Sequence, residues 1–206
     1  VEQVATPEGY ARNPELVINF YNERRKQLLD VVPNAGHLGV ADLERDFNVT
    51  VVTQNVDNLH ERAGSTHVIH LHGELTKVCS SRDPYNPHFV KELAPEEYEV
   101  KLGDKAGDGT QLRPFIVWFG ESVPEIETAI RYVEQADIFV IIGTSLNVYP
   151  AAGLLNYVPR AAEVYLIDPK PVDTHVMRPI HVIQKGASEG VKELKALLAA
   201  TQPPLL

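Results

Sequence analysis

The second half of the chain alternates strand-like and helix-like segments, and this alternation constrains the fold more than any other feature. The strand-like segments, rich in β-branched and aliphatic residues, are 113–120, 137–145, 162–169 and 181–184. The segments with helical periodicity are 124–136, 149–158 and 188–200. Strands that are joined through helices form parallel sheets, because a parallel connection requires a crossover. The alternation therefore predicts an α/β fold with a doubly wound parallel, Rossmann-like sheet.

The first half of the chain contributes fewer strands and one break in composition. Helices are predicted at 14–30, 34–46 and 57–64, and strands at 48–54 and 67–73. Residues 79–112 are rich in Pro, Gly and charged residues and poor in aliphatic ones, which indicates a small module inserted into the core. We therefore predict three parts. They are a helical module at 1–46 that leads into the core, a Rossmann-like core at 47–78 and 113–206, and the small module at 79–112.

Composition excludes several classes of protein. The 206 residues carry a formal net charge of −9, which disfavours binding to nucleic acid. The one cysteine, Cys79, permits neither an internal disulfide nor a structural zinc site built on cysteines. No apolar run approaches the roughly 20 residues of a membrane span, and no signal peptide is evident. We expect a monomeric cytoplasmic protein with no nucleic-acid or membrane partner.

Polar residues and glycines cluster where the predicted strands end. Ligands of an open parallel sheet bind outside the carboxyl ends of its strands, so these clusters are the candidate site. They are Gln54-Asn55-Val56-Asp57, His72-Gly73-Glu74, Phe119-Gly120-Glu121, Gly143-Thr144-Ser145 and Asp168. Each cluster alone also has a structural explanation. Asn55 and Asp57 could cap the helix at 57–64, residues 143–145 could form a simple turn, and His70 is expected to pack or to cap rather than to react.

Taken together, four motifs resemble those of the sirtuin family, the NAD-dependent protein deacylases. The motifs are TQNVDNLH at 53–60, HLHGEL at 70–75, VWFGE at 117–121 and GTSLNVYPAAGL at 143–154. Their order and spacing also fit the family, and the similarity extends from about residue 4 to about residue 198, interrupted in 79–112. The resemblance implies removal of acyl groups from acylated-lysine protein substrates with NAD as cosubstrate, giving nicotinamide and O-acyl-ADP-ribose.

The resemblance also implies roles for individual residues. His72 would be the general base for a ribose hydroxyl, a task that suits a near-neutral pKa. Gln54, Asn55 and Asp57 would bind the nicotinamide-ribose region of NAD and order a water, with Asn55 and Asp57 counted among the catalytic residues. The remaining cofactor-binding residues would be Gly143, Thr144 and Ser145 at the phosphates, Asp168 at a ribose, and Ala187. The family more often has Asn at the position of Asp168. No metal is expected.

Substrate binding is expected along two segments, 117–121 and 147–149. In sirtuins the segment that matches 117–121 holds the substrate peptide by β-augmentation, although Trp118 and Phe119 are apolar enough to belong to the core. The expected substrate-binding residues from these segments are Val117, Trp118, Phe119, Gly120, Glu121, Asn147, Val148 and Tyr149.

Two residues of the first predicted helix point to the acyl group that is removed. Tyr21 and Arg24 are three residues apart, which places them on one face of a helix. They resemble the Tyr-x-x-Arg pair of the sirtuin branch that binds the carboxylate of succinyl-, malonyl- or glutaryl-lysine, and Ala5 would leave room for the acyl chain. A guanidinium and a phenol suit a carboxylate, whereas an isolated pair of this kind would more often be solvated helix residues.

The sequence also departs from the family pattern. Many sirtuins hold their small module with four cysteines on zinc, so the module at 79–112 is expected to be zinc-free and to fold through Tyr85, Phe89, Tyr98 and Val100. The family's N-terminal strand, its Gly-Ala-Gly phosphate loop and its Asp-Phe-Arg-like cofactor loop are expected before Val1, so the predicted sheet lacks its N-terminal strand. We expect NAD binding to be weak without those segments.

Two alternative functions remain open from the sequence. One is a non-catalytic module that binds ADP-ribose or NAD. The other is a metal-dependent hydrolase with His70, His72 and Glu74 as ligands, because alternating histidines on one strand face can chelate a metal. A third strand-borne ligand at a recognisable spacing is missing for the hydrolase.

Overall fold

The computed structural model describes residues 3–144, 151–172 and 178–201. Its α-helices are α1 (Pro7–Arg12), α2 (Pro14–Leu28), α3 (Ala35–Asp42), α4 (Leu59–Ala63), α5 (Ile126–Val133) and α6 (Ala187–Thr201). Its strands are β1 (Val51–Thr53), β2 (Val68–His70), β3 (Gly73–Ser80), β4 (Lys91–Glu92), β5 (Leu112–Ile116), β6 (Ile138–Ile142), β7 (Glu163–Ile167) and β8 (His181–Ile183). Short 3₁₀ helices occur at Leu43–Arg45, Pro87–Phe89, Pro95–Glu97 and Ala151–Tyr157. Within these described residues, no helix is both long enough and apolar enough to cross a membrane.

The chain divides into two compact units whose boundaries differ from the three predicted parts. The first unit comprises the residues up to 32 together with 52–58 and 70–125, and the second comprises 33–51, 59–69 and the residues from 126 onward. The difference arises largely from β5, which we expected in the parallel core. It pairs antiparallel with β3 instead, in a three-stranded sheet of order β4-β3-β5. This pairing keeps the inserted module and the VWFGE segment in one unit.

Helix α2 organises the first unit. Pro14 occupies its first turn, where no N–H is needed, and the side chain of Asn13 accepts a hydrogen bond from the Leu16 N–H. Ile18 of this helix packs with residues of the module, in a buried cluster that also contains Val78, Leu93 and Val100. We expected the module to fold through Tyr85, Phe89, Tyr98 and Val100, but only Val100 is fully buried and the three aromatic residues are half-buried.

Buried polar contacts also fasten the module to α2. The Asn22 side chain donates to the Val100 carbonyl at 2.8 Å and accepts from the Val100 N–H at 2.9 Å. Arg25 is buried as well, and it donates to the Asn22 side chain and to the Tyr98 carbonyl. Backbone and side-chain groups of this kind are costly to bury without partners.

Replacing Asn22 with alanine is expected to destabilise the first unit by about 2–4 kcal/mol, because it leaves both Val100 backbone groups and one Arg25 donor without a partner. Urea unfolding followed by the fluorescence of Trp118, the single tryptophan of the chain, measures this unit. Glu23→Ala is the matched control, since Glu23 is the exposed neighbour on the same helix. Equal unfolding midpoints for the two variants would contradict the assignment.

The second unit contains the parallel sheet that the alternation predicted. Its order is β6-β7-β8, and the register aligns Ile142 with Ile167 and Ile167 with Ile183. Helix α6 packs on this sheet through a buried cluster that includes Val191 and Leu194. Contact is so close that a Cβ at Gly190 would lie 2.2 Å from the Ile167 side chain. The α/β class and the Rossmann-like parallel sheet are thus confirmed, and the strand ends Ile142, Ile167 and Ile183 lie level at one edge.

Candidate active site

His72 lies in the turn between β2 and β3, not within a strand as the sequence suggested. Its backbone carbonyl accepts a hydrogen bond from the Val117 N–H at 2.9 Å, which links the turn to the VWFGE segment. The next residue, Gly73, has a φ of +89°, and a Cβ there would lie 2.1 Å from the Phe115 carbonyl oxygen. Only glycine fits this position, so the glycine of the HGE motif fixes where His72 sits.

The environment of His72 favours the neutral imidazole. Burial lowers its pKa below the ordinary value of 6.5, and a hydrogen bond with the Gln54 backbone carbonyl offsets only part of that effect. A neutral histidine that donates one ring N–H to a carbonyl carries a lone pair on the other ring nitrogen. His72 is therefore able to accept a proton at neutral pH, as a general base must.

Two amide side chains of the TQNVDNLH motif carry buried polar atoms that lack partners among the described residues. Within the described residues, neither the Gln54 Nε2 donor nor the Asn58 Oδ1 acceptor makes a hydrogen bond. A ligand rich in hydroxyl and amide groups, such as the nicotinamide-ribose part of NAD, has both the acceptors and the donors to satisfy them. The Gln54 donor and the Asn58 acceptor therefore fit that part of the cofactor. Asn58 was not among the predicted site residues, although it lies in the TQNVDNLH motif.

Asn55 and Asp57 lie between Gln54 and Asn58 in the sequence and differ in exposure. The Asn55 side chain is exposed, and its backbone N–H donates to the Thr53 hydroxyl at 3.0 Å. Asp57 is half-buried. Helix α4 begins at Leu59, two residues later than predicted. The structure thus brings Gln54, Asn55, Asp57 and His72 into one compact unit.

His70 has a different environment from His72. It is 8% exposed and its Nδ1 lies 3.1 Å from the Asn55 carbonyl oxygen, as expected for a packed histidine. Strand β2 ends at His70 and β3 begins at Gly73, so His70 and His72 do not alternate along one strand. The chelating strand pair on which the hydrolase hypothesis depended is therefore wrong.

The predicted peptide-binding segment follows β5 and is held firmly by its own backbone. The Val117 N–H donates to the His72 carbonyl, the Trp118 N–H to the Glu121 carboxylate and the Phe119 N–H to the Ala5 carbonyl. These three donors are not free to pair with an added strand. Backbone pairing with a peptide at this segment would have to use its carbonyl groups or residues beyond Phe119.

The side chains of this segment have unequal exposure. Phe119 is 68% exposed, whereas Trp118 is 2% exposed and Glu121 forms a bidentate ion pair with the buried Arg113. Trp118 and Glu121 were predicted to contact substrate, but their side chains are engaged within the protein. Gly120 has a φ of +89°. Phe119, next to Ala5, is the side chain of this segment that is open to a ligand.

Tyr21 and Arg24 occupy the same helix, as predicted, with different exposure. Tyr21 is buried and its hydroxyl accepts a hydrogen bond from the Trp118 Nε1–H at 3.1 Å. Burial raises the pKa of Tyr21, and the hydrogen bond from Trp118 and the nearby positive charges of Arg113 and Arg24 only partly oppose that shift. Arg24 is exposed, and its guanidinium lies 5.1 Å from the centre of the Phe20 ring.

The second unit carries the other predicted cofactor residues at the carboxyl edge of its sheet. Gly143 follows β6 with a φ of +64° and donates to the Ile167 carbonyl, and Thr144 comes next. Asp168 follows β7, and its carboxylate already accepts the Lys170 N–H at 2.8 Å. Ala187 is the first residue of α6. Ser145, Asn147, Val148 and Tyr149 lie outside the described residues.

The fold and these motifs agree with a comparison against protein families. The Sir2 family model matches residues 1–150, and the chain belongs to that family. A relative from Bacteroides thetaiotaomicron, named NAD-dependent protein deacylase, is 83% identical over 96% of this chain and 85% of its own length. A relative of the same name from Helicobacter pylori is 46% identical over 94% of this chain and 82% of its own length.

Solved structures give the same result. A Sir2 homologue in complex with NAD superimposes with a TM-score of 0.80 at 37% identity, covering 98% of this chain and 78% of that one. A Sir2 protein bound to a propionylated peptide has a TM-score of 0.77 at 26% identity, covering 97% of this chain and 85% of that one.

Arg113 is the residue near the site that sequence reasoning missed most completely. It is 4% exposed. Burial lowers the pKa of its guanidinium, but the hydrogen bonds and negative charge of Glu121 raise it by more, so the net shift of the pKa is upward. A charged residue inside the largely apolar run LRPFIVWF (112–119) was an available signal, since a charge in a buried strand requires a partner.

Elemental analysis for zinc tests the expectation that the small module at 79–112 is zinc-free. Cys79 is fully buried, donates weakly to the Pro114 carbonyl, and burial raises its pKa to about 12, so a thiolate ligand is disfavoured. We expect less than stoichiometric zinc in protein purified without chelator, measured by elemental analysis. One tightly held zinc per chain that is lost on replacing His70 or His72 would contradict this expectation and revive the hydrolase.

Proposed function

We propose that this Sir2-family protein is an NAD-dependent protein deacylase in which His72 is the general base and Tyr21 with Arg24 selects acyl groups that end in a carboxylate. The observation that carries the catalytic assignment is the environment of His72. Its pKa is lowered by burial and its ring is held by the Gln54 carbonyl, while the Gln54 side chain offers an unpaired buried donor. The relatives named NAD-dependent protein deacylase support the reaction.

NAD supplies an electrophilic anomeric carbon with nicotinamide as the leaving group. The protein's own residues supply binding, orientation and a proton acceptor. Gln54 and Asn58 are suited to hold hydroxyl or amide groups of the cofactor, and the free ring nitrogen of His72 is suited to accept a ribose hydroxyl proton. The Asp168 carboxylate retains acceptor capacity for a ribose hydroxyl beyond its bond with Lys170.

The preference for acidic acyl groups rests on the face of α2 that carries Tyr21 and Arg24. The phenol is protonated at neutral pH, and burial raises its pKa further, so it is able to donate to a carboxylate. Arg24 is exposed and follows Tyr21 by three residues on α2, a spacing that places the two side chains on one face of the helix. A carboxylate placed between them would accept one neutral and one charge-assisted hydrogen bond.

The experiment supplies NAD and a lysine peptide in acetylated, succinylated and unacylated forms. We expect one nicotinamide released for each acyl group removed, and none with the unacylated peptide. A non-catalytic binder would bind ADP-ribose without consuming NAD. A metal-dependent hydrolase would remove the acyl group without NAD and would stop with chelator. Either of the last two results would contradict the proposed function.

The rate should depend on pH through His72. The neutral imidazole is the active form, so kcat/KM is expected to fall with a slope of one on the acid side of a pKa that lies below 6.5. Rates measured from pH 5 to 8 at saturating NAD check this, with Asn58→Ala as a variant that keeps the imidazole. An acid limb centred above pH 7 would show that the titrating base is a different group.

A further inference from the structure

The Tyr21 hydroxyl belongs to a continuous chain of buried contacts that ends at Glu121. Indole N–H groups only donate, so the contact from Trp118 Nε1 at 3.1 Å makes the Tyr21 oxygen an acceptor. The phenolic proton must then point elsewhere. Within the described residues the Tyr21 hydroxyl makes no other hydrogen bond, and its proton remains available to a ligand.

The indole itself is held on its ring and on its backbone. The Arg113 guanidinium carbon lies 3.7 Å from the centre of the Trp118 ring, and Tyr10 packs against the same ring at 5.2 Å between centroids. One oxygen of Glu121 accepts both from Arg113 at 3.0 Å and from the Trp118 N–H at 2.8 Å. The Arg113–Glu121 ion pair therefore contacts Trp118 at two places, its ring and its backbone N–H. Trp118 is in turn the residue that orients the Tyr21 hydroxyl.

Arg113 has little freedom to move. Its guanidinium also donates to the Ile116 carbonyl at 2.7 Å and to the Pro114 carbonyl at 3.3 Å. Planar guanidinium groups that stack on a ring and bind a carboxylate bidentately hold a fixed geometry. A chain of this kind costs desolvation that hydrophobic residues would avoid, so the ion pair is weak evidence for a gain in stability.

We propose that Trp118, fixed by Arg113 and Glu121, is a positioning residue for acyl specificity that turns the Tyr21 hydroxyl proton toward the carboxylate of an acidic acyl-lysine. Trp118 does not touch the substrate in this role. The inference rests on the acidic-acyl preference proposed above, and it adds a residue to the two that the sequence assigned to that preference.

The test is a double-mutant cycle with Trp118→Phe and Tyr21→Phe, the first of which removes the indole N–H while keeping an aromatic ring. The measured quantity is the ratio of kcat/KM for a succinyl-lysine peptide to that for the matched acetyl-lysine peptide. Trp118→Phe should lower this ratio about three- to tenfold, the scale of one net hydrogen bond, with the change in KM rather than kcat. The double variant should fall no further than Tyr21→Phe alone.

Tyr10→Phe is the matched control, because it removes a hydroxyl from another tyrosine on the Trp118 ring without altering Tyr21. Its ratio should equal that of the unmodified protein. If the two losses multiply in the double variant, or if Trp118→Phe leaves the ratio unchanged while Tyr21→Phe lowers it, the positioning role is overturned and the acyl preference stands. If neither the unmodified protein nor Tyr21→Phe distinguishes the peptides, both proposals fail together.

A second measurement needs no turnover. Trp118 is the single tryptophan of the chain, so intrinsic fluorescence reports on this one position. Titration with the succinyl-lysine peptide should change the emission more than titration with the acetyl-lysine peptide, and Tyr21→Phe should remove that difference. Equal responses to both peptides, in a protein that still prefers the succinylated substrate, would overturn the positioning role.

Discussion

Replacing His72 with alanine is expected to lower kcat/KM for NAD-dependent deacylation by about 10²–10⁴, the usual contribution of a positioned general base. The lowered pKa keeps the imidazole neutral at pH 7, and the hydrogen bond with the Gln54 carbonyl leaves one ring nitrogen able to accept a proton. Alanine keeps the backbone carbonyl that accepts from Val117, so the turn should persist. The rate of nicotinamide release with an acylated peptide measures the effect.

His88→Ala provides the control for this variant. His88 is exposed, lies in the first unit and belongs to a 3₁₀ helix of the small module, so its replacement should leave the rate within about twofold. Binding of ADP-ribose by the His72 variant shows whether the fold is intact. A His72→Ala protein that binds ADP-ribose and retains more than about a tenth of the rate would exclude His72 as the base.

Arg24→Met is expected to lower the preference for succinyl-lysine over acetyl-lysine about tenfold, and up to a hundredfold if the bound acyl chain shields the ion pair from water. Arg24 is exposed in the structure, so the lower value applies unless the ligand covers it. Most of the loss should lie in KM, because the distal carboxylate is bound alike in the ground and transition states.

Lys26→Met is the matched control, since it removes one positive charge from an exposed position of the same helix. Its ratio of succinyl to acetyl activity should stay within about twofold of the unmodified protein. If Arg24→Met lowers both activities equally, Arg24 supports the fold or the cofactor and the acyl assignment is wrong. If Lys26→Met matches Arg24→Met, the preference reflects overall charge and not a specific pair.

The inner arrangement of the first unit could not be predicted from local patterns. Residues 112–116 have the composition of a core strand, yet they pair antiparallel with β3, because pairing depends on partners more than 30 residues away. Burial also differs between neighbouring residues of the same type. Arg25 is buried whereas Arg24 is exposed, and His70 is buried whereas His72 is half-buried. The Arg113–Glu121 pair joins residues that only the bend after β5 brings together.

The sequence by itself determined the parallel sheet of the second unit, the family, and the position of Gly143, Asp168 and Ala187 at one edge. The alternation of strands and helices and the small or polar residues at strand ends are local properties of the sequence. The register of the parallel strands then aligns their carboxyl ends, which brings these residues to one edge. Tertiary structure alone decided which side chains remain free to act. It buried Trp118 and paired Glu121 with Arg113, while Phe119 and Arg24 stayed exposed. It also lowered the pKa of His72, because burial and hydrogen-bond partners are set by packing across the whole unit.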